Sequence, residues 1–180
     1  MVEFALEIPD GDNRERLVCR DCGHVDYQNP KIVAGAVVAH EGKILLCRRA
    51  IEPRRGYWTL PAGYMELGET VEEGARREAM EEAEADIVLD GMLALYSISR
   101  IGQVQIMFRA RFAGAPLFAA GSESLEVGLF AWDDIPWDRL AFPTVRWALE
   151  AWRANPTGVL GAPAGNPEAD PRGVGRAMVE

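Results

Sequence analysis

Apolar positions along this chain fall into short runs of strand length, interrupted by one stretch in which small hydrophobic residues recur every four positions. Residues 31–39 are rich in Val, Ala and Ile, Glu41-Gly42 supplies a turn, and residues 43–47 continue as Lys-Ile-Leu-Leu-Cys, which predicts a hairpin of buried strands. Residues 48–57 form a basic loop, and residues 58–63 read as a short strand stopped by Pro61 and Gly63. A helix follows. Thr70 and, three residues later, Glu73 make a capping box, and Val71, Ala75, Ala79 and Ala83 lay a narrow stripe of small residues along one side. That leaves the polar face for chemistry. Strand-like runs resume over 92–98, 104–112 and 127–132, separated by turns at Ile101-Gly102 and Gly114-Ala115-Pro116. A second helix is predicted over 144–153, with Val145, Leu149 and Trp152 on one face. Strands with two helices predict an α/β sandwich around a mixed sheet.

The two ends differ from this middle region. Residues 1–17 are polar and turn-rich around Pro9, Asp10, Gly11, Asp12 and Asn13, and Cys19-Arg20-Asp21-Cys22-Gly23-His24 follows, so residues 1–30 read as a small N-terminal CxxC module. After Asn155 the chain is Gly, Pro and Ala with few large apolar side chains. Too little surface is available there to offset ordering entropy, and residues 154–180 are expected to form a loose tail. The main domain is then 31–153.

Composition narrows the class of partner. A length of 180 residues with 48% hydrophobic positions suffices for a packed core. The chain has 19 Lys and Arg against 28 Asp and Glu, a net charge of −9, which argues against nucleic acid or an anionic membrane as a partner. A phosphorylated ligand would need cations to mediate its contact. No apolar run reaches the roughly 20 residues of a membrane helix, and residues 1–14 are acidic, so a cytoplasmic location is expected. Three cysteines are an odd number, and reduced thiols are expected.

Within the helix from Val71, Glu78, Glu81 and Glu82 are spaced at i, i+3 and i+4 and project from one side. Such like charges repel by only a few tenths of a kcal/mol when solvated, so an acidic helix face is by itself unremarkable. Here Gly63 and Glu69 precede the helix, and Arg77 beside Glu78 can hold Glu69 or Glu81 by a charge-assisted hydrogen bond. A hard divalent cation, Mg²⁺ or Mn²⁺, explains this oxygen-only cluster better than zinc does.

From Gly63 to Ala85 the chain resembles the Nudix hydrolases, whose box reads G-x5-E-x7-R-E-U-x-E-E-x-G-U with U aliphatic. Gly63, Glu69, Arg77, Glu78, Glu81 and Glu82 hold their places. Two positions depart: Glu84 stands where the box has glycine, and Ala79 and Ala85 are small. A non-glycine residue at a left-handed helix end costs about 1 kcal/mol, so the helix is expected to run on through Glu84. The CxxC module, Tyr27 to Lys31, Leu60 to Tyr64, Ile101-Gly102-Gln103 and Glu123-Ser124-Leu125-Glu126 resemble the FAD and ADP-ribose pyrophosphatase branch.

The resemblance implies a Nudix-type α/β/α sandwich that hydrolyses a diphosphate linkage in a nucleoside diphosphate derivative, with ADP-ribose or FAD as substrate. It implies two or three Mg²⁺ or Mn²⁺ ions held by Glu78, Glu81, Glu82 and the Gly63 carbonyl, and, in many relatives, a homodimer. Glu126, just before a strand, is assigned as a further ligand or general base, with Glu123 as the second candidate. Arg48, Arg49, Arg54 and Arg55 could grip a diphosphate in forked fashion. Tyr57, Tyr64 and Tyr96 are candidates to stack on a base, and Trp58 is assigned to packing. Cys19 and Cys22 are half of a zinc ribbon whose second CxxC is missing, which leaves zinc uncertain. The competing readings are the same chemistry on NADH or dinucleoside polyphosphates, and a Nudix module that binds a nucleotide without cleaving it.

Overall fold

The computed structural model describes residues 2–168, and the chain divides after Pro30 into two compact units. In the first, β1 (Phe4–Glu7), β2 (Arg16–Cys19) and β3 (Val25–Asp26) form an antiparallel sheet in the order β1-β2-β3. These strands escape the sequence pattern because they are short and largely exposed, so one face need not be apolar. The turn residues lie at the tip of the β1–β2 hairpin, where the Asp12 carboxylate accepts from Arg16 at 3.0 Å.

The second unit is built on a seven-stranded mixed sheet. Its strands are β4 (Lys31–His40), β5 (Lys43–Arg49), β6 (Trp58–Thr59), β7 (Ala62–Tyr64), β8 (Ile87–Ile98), β9 (Gln103–Phe112) and β10 (Ser124–Phe130). The order is β10-β5-β4-β9-β8, with β6 on β5 and β7 on β4; β4 and β9 are parallel and the other pairs antiparallel. The helices are α1 (Val71–Ala83) and α2 (Pro143–Ala154).

Period-two alternation assigns each strand residue to a helix. Ala34, Ala36 and Val38 of β4 and Leu45 and Cys47 of β5 pack with Ala75, Ala79 and Ala83 of α1. Val37, Ile44 and Leu46 face the other way, toward Trp147, Leu149 and Trp152 of α2. The result is an α/β/α sandwich. Trp58 is buried among the second set, edge-on to Phe130 with centroids 4.8 Å apart.

The strand expected over 58–63 is two strands, broken at Leu60-Pro61, because proline cannot donate to a ladder. β4 and β5 pair only near their shared turn, at Ala39–Ile44 and His40–Lys43, and the β6–β7 strap fills the gap where they splay. The strap crosses β4 at Gly35, where a Cβ would run into Ala62, and the Ala36 N–H donates to the Pro61 carbonyl at 3.1 Å. This crossing delivers Gly63 to α1.

Two expectations are corrected here. The first is that α1 does not run on through Glu84: it stops at Ala83, and Glu84 takes the left-handed conformation at φ 47°. Its N–H bonds the Met80 carbonyl at 2.9 Å, and Ala85 bonds Ala79 at 3.1 Å. Two further carbonyls, of Ala83 and Glu82, accept from Ala119 at 2.9 Å and Gly121 at 3.2 Å. These bonds offset the strain of a non-glycine residue there. The second is that the expected loose tail is docked as far as Asn166: Ala164 pairs with β8, and Asn166 bonds Ser97. A few backbone and amide hydrogen bonds replace the apolar burial that its composition lacks. Residues 169–180 of that tail lie outside the described residues. No helix among the described residues is long and apolar enough to cross a membrane.

Candidate active site

α1 begins at a complete capping box. The Thr70 hydroxyl accepts from the Glu73 N–H at 3.2 Å, and the Glu73 carboxylate accepts from the Thr70 N–H at 2.8 Å. From this start the helix turns Glu78 and Glu82 toward the sheet side of the strap and leaves Glu81 exposed, so Glu78 is 8% and Glu82 5% exposed. A Cβ at Gly63 would land on the Glu78 carboxylate, so any larger residue there would displace that side chain. The Ala62 N–H donates to Glu82 Oε2 at 3.3 Å.

Arg77 organises the cluster. It donates to Glu69 at 2.8 and 3.0 Å, to Glu78 at 2.7 Å, to Glu81 at 2.8 Å and to the Tyr64 carbonyl at 2.9 Å. The hydrogen bonds from Arg77 hold the Glu69 carboxyl down at about 2. The two buried carboxylates respond oppositely. Burial raises the pKa of Glu78 above the ordinary carboxylate range against the pull of Arg77. Burial and then the charge of Glu78 push Glu82 up to about 8, against the Ala62 N–H and the more distant Arg49. Arg77 is correspondingly held as a cation, chiefly by Glu69.

Arg77 and the helix glutamates line one cavity of about 1100 Å³, slightly larger than most ligand sites. Gly63, Tyr64, Arg77, Glu78, Glu81, Glu82, Arg49 and Glu123 all border it, on walls completed by apolar residues that include Leu60, Leu95, Met107 and Trp147. Glu123 arrives by a local device. A Cβ at Gly121 would collide with the Glu81 carbonyl, and that close approach, with the Gly121–Glu82 hydrogen bond, seats the loop on the last turn of α1. The negative charge of Glu123 adds to the upward shift of both Glu78 and Glu82.

Other sequence candidates lie elsewhere. Glu126 does not line the cavity; its carboxylate is 3.3 Å from Arg48. A bulge between Ser124 and Glu126 separates the two glutamates' settings, with Glu123 on the cavity and Glu126 beside Arg48. Arg48 also donates to the Gly56 carbonyl at 3.2 Å, and Arg54 lies over the Tyr57 ring at 5.3 Å, so Arg48, Arg54 and Tyr57 are absent from the lining. Arg55 is exposed and equally absent. Tyr96 is 1% exposed and packs edge-on to Trp147 at 5.4 Å, so it is core. Tyr64 remains available at 48% exposure, its hydroxyl accepting from Gln103 at 2.9 Å. Ser97, Arg100 and Gln105 border the cavity without having been singled out, although the neighbouring Ile101-Gly102-Gln103 turn marks their region.

The donor set suits a hard divalent cation. Burial disfavours the charged forms of Glu78 and Glu82, and the charge of Glu78 disfavours that of Glu82 further, a conflict that a cation between them would relieve. Among the described residues, no three His, Cys, Asp or Glu side chains already converge as an ion site, since Glu81 is turned onto Arg77 and Glu126 onto Arg48. In the first unit, Cys19 is buried and Cys22 exposed, both as free thiols. The N–H groups of Cys22 and Asp21 lower the Cys19 thiol pKa.

Comparison with known proteins agrees with this geometry. Residues 29–152 match the NUDIX domain family model and residues 2–28 the Nudix N-terminal model, a zinc-ribbon module. A MutT-like protein of Streptomyces ambofaciens is 36% identical over 103 residues, 57% of this chain and 64% of its own length. An ADP-ribose pyrophosphatase of Methanocaldococcus jannaschii is 32% identical over 120 residues, 64% of this chain and 69% of its own. The chain thus matches about two thirds of the length of these relatives. A crystal structure of a NUDIX hydrolase from Nitrosomonas europaea superposes with a TM-score of 0.83 at 43% identity, covering 92% of both chains.

Proposed function

The chain belongs to the Nudix hydrolase family, and from that premise we propose that it hydrolyses the diphosphate linkage of a nucleoside diphosphate derivative. The substrate is ADP-ribose, cleaved to AMP and ribose 5-phosphate, or FAD, cleaved to AMP and FMN. The observation that carries this reading is the convergence of Glu78, Glu82, Glu123 and Arg49 on one large cavity whose walls also include the apolar Leu60, Leu95, Met107 and Trp147. The similarity to an ADP-ribose pyrophosphatase supports it.

Glu78, Glu82 and the Gly63 carbonyl would hold Mg²⁺ or Mn²⁺, which when bound neutralises phosphate charge and acidifies water. Arg77 keeps its neighbouring carboxylates in fixed positions through its five donors. Arg49, whose Nε donates to the Pro53 carbonyl at 2.9 Å and whose guanidinium lies over the Phe142 ring at 5.3 Å, binds a phosphate oxygen through its terminal nitrogens. Glu123 takes the proton of the attacking water. The water oxygen bonds to one phosphorus, the bond from that phosphorus to the bridging oxygen breaks, and the leaving phosphate keeps the electron pair.

The test is release of AMP from ADP-ribose with Mg²⁺ present. Glu82→Gln is expected to lose about 10²-fold or more of turnover while remaining folded, and Glu123→Gln to lose more than Glu126→Gln. Turnover of Glu82→Gln within threefold of the parent would overturn the assignment.

A further inference from the structure

One wall of the cavity comes from a part of the chain far from the carboxylates. β8 is the outer strand of the large sheet, and β9 pairs only one of its two edges. Residues 155–166 run back along the other edge with successive attachments. Buried Arg109 on β9 donates from one terminal nitrogen to the carbonyls of Asn155 at 3.0 Å and Gly158 at 2.8 Å. Leu160 packs over Gly91, whose φ is 151° and where a Cβ would lie 3.0 Å from the leucine methyl. The Ala164 N–H donates to Leu93 at 3.0 Å, and its carbonyl accepts from Leu95 at 2.9 Å. Asn166 closes the series: its Oδ1 accepts from the Ser97 N–H at 2.9 Å and its Nδ2 donates to the Ser97 carbonyl at 2.8 Å, so one side chain imitates a paired strand residue.

Gly165, Asn166 and Pro167 then border the cavity beside Leu95 and Ser97. They bring no titratable group, and both polar atoms of the Asn166 amide are already engaged by Ser97. What this segment offers a ligand is shape. We propose that residues 165–167, anchored through Ala164 and Asn166, are a specificity-determining wall that limits the bulk of the group carried beyond the diphosphate. This rests on the reading of the cavity as a diphosphate-cleaving site.

The experiment compares ADP-ribose with the bulkier FAD, in the full chain, in Asn166→Ala, in a chain ended after Pro163 and in one ended after Glu168. The FAD-to-ADP-ribose ratio of kcat/KM is expected to rise about tenfold in the first two altered proteins, with KM moving more than kcat, a size typical of discrimination by a pocket wall. The chain ended after Glu168 is expected to keep the parent ratio. Calorimetric binding of both ligands to Glu82→Gln, with and without Asn166→Ala, reads the same ratio without turnover. A ratio that stays put or moves toward ADP-ribose overturns the wall and leaves the diphosphate reading standing. So does a chain ended after Glu168 that shifts the ratio as far as the shorter one. A parent that neither cleaves nor binds either compound overturns both.

Discussion

α1 lies against one face of the sheet through Ala75, Ala79 and Ala83, whereas α2 lies against the other through Trp147, Leu149 and Trp152. With methyl groups as spacers, α1 comes so close that a Cβ at Gly74 would stand 3.3 Å from Ala34 Cβ. Glu78 and Glu82, next to the alanine stripe on the helix surface, are therefore drawn into the interior with it. The indoles of α2 act in the opposite way: they supply the buried area, and Glu150 and Arg153 stay exposed. One face buries apolar surface, where among the described residues the Nε1 of Trp147 and Trp152 find no partner, and the other buries carboxyl groups. Close packing of small residues is thus what creates the site's electrostatics, because depth alone raises the pKa of a carboxylate.

The largest expected effect that separates the two faces is on the aromatic side. Trp152→Ala should cost about 3–5 kcal/mol by leaving a cavity under α2, lowering the melting temperature by roughly 10 °C, while turnover per folded molecule is retained. Loss of turnover at full stability would show that α2 is not merely a packing element.

On the acidic side the sign reverses. Glu82 is held at about 8 against an ordinary 4.5, so the folded state binds the extra proton and its stability falls as pH rises from 4.5 through 8. In chelator, Glu82→Gln is expected to be more stable than the parent, by on the order of 1–3 kcal/mol at pH 8, with the gain fading toward pH 4.5. Paired thermal melts across that range check it; a variant less stable than the parent at pH 8 contradicts the buried-charge account.

The smallest expected effect tests the spacing itself. Ala79→Leu should cost about 1–3 kcal/mol by overpacking and lift α1 from the sheet. Because the carboxylates move with the helix, kcat/KM should fall alongside stability. Unchanged turnover in the destabilised protein would separate helix depth from catalysis.

Several parts of the site could be read from the chain because they are local. The capping box closes over three residues, and the spacing of Glu78, Glu81 and Glu82 is helix arithmetic. The choice of glycine at position 63 is legible as part of the box, but its reason, the carboxylate of Glu78 pressed against it, is a contact across the strap. The choice between Glu123 and Glu126 depends on a bulge in β10 and on the seating of Gly121 against α1, neither of which leaves a pattern in hydrophobic periodicity. Tyr96 illustrates the same limit: an aromatic near a strand end can stack on a ligand or fill the core, and only the arrival of Trp147 from α2 decides it.

By itself, then, the amino-acid order determined the family box, the layered α/β class and the helix that carries the acids, since each follows from residues within a few turns of one another. The tertiary structure alone decided which acids are deep, which arginine borders the cavity and that the Gly- and Pro-rich segment is ordered as far as Asn166. That last pairing joins residues 69 positions apart, and hydrogen bonds between main chain and a single amide have no composition signature by which a reader of the chain could foresee them.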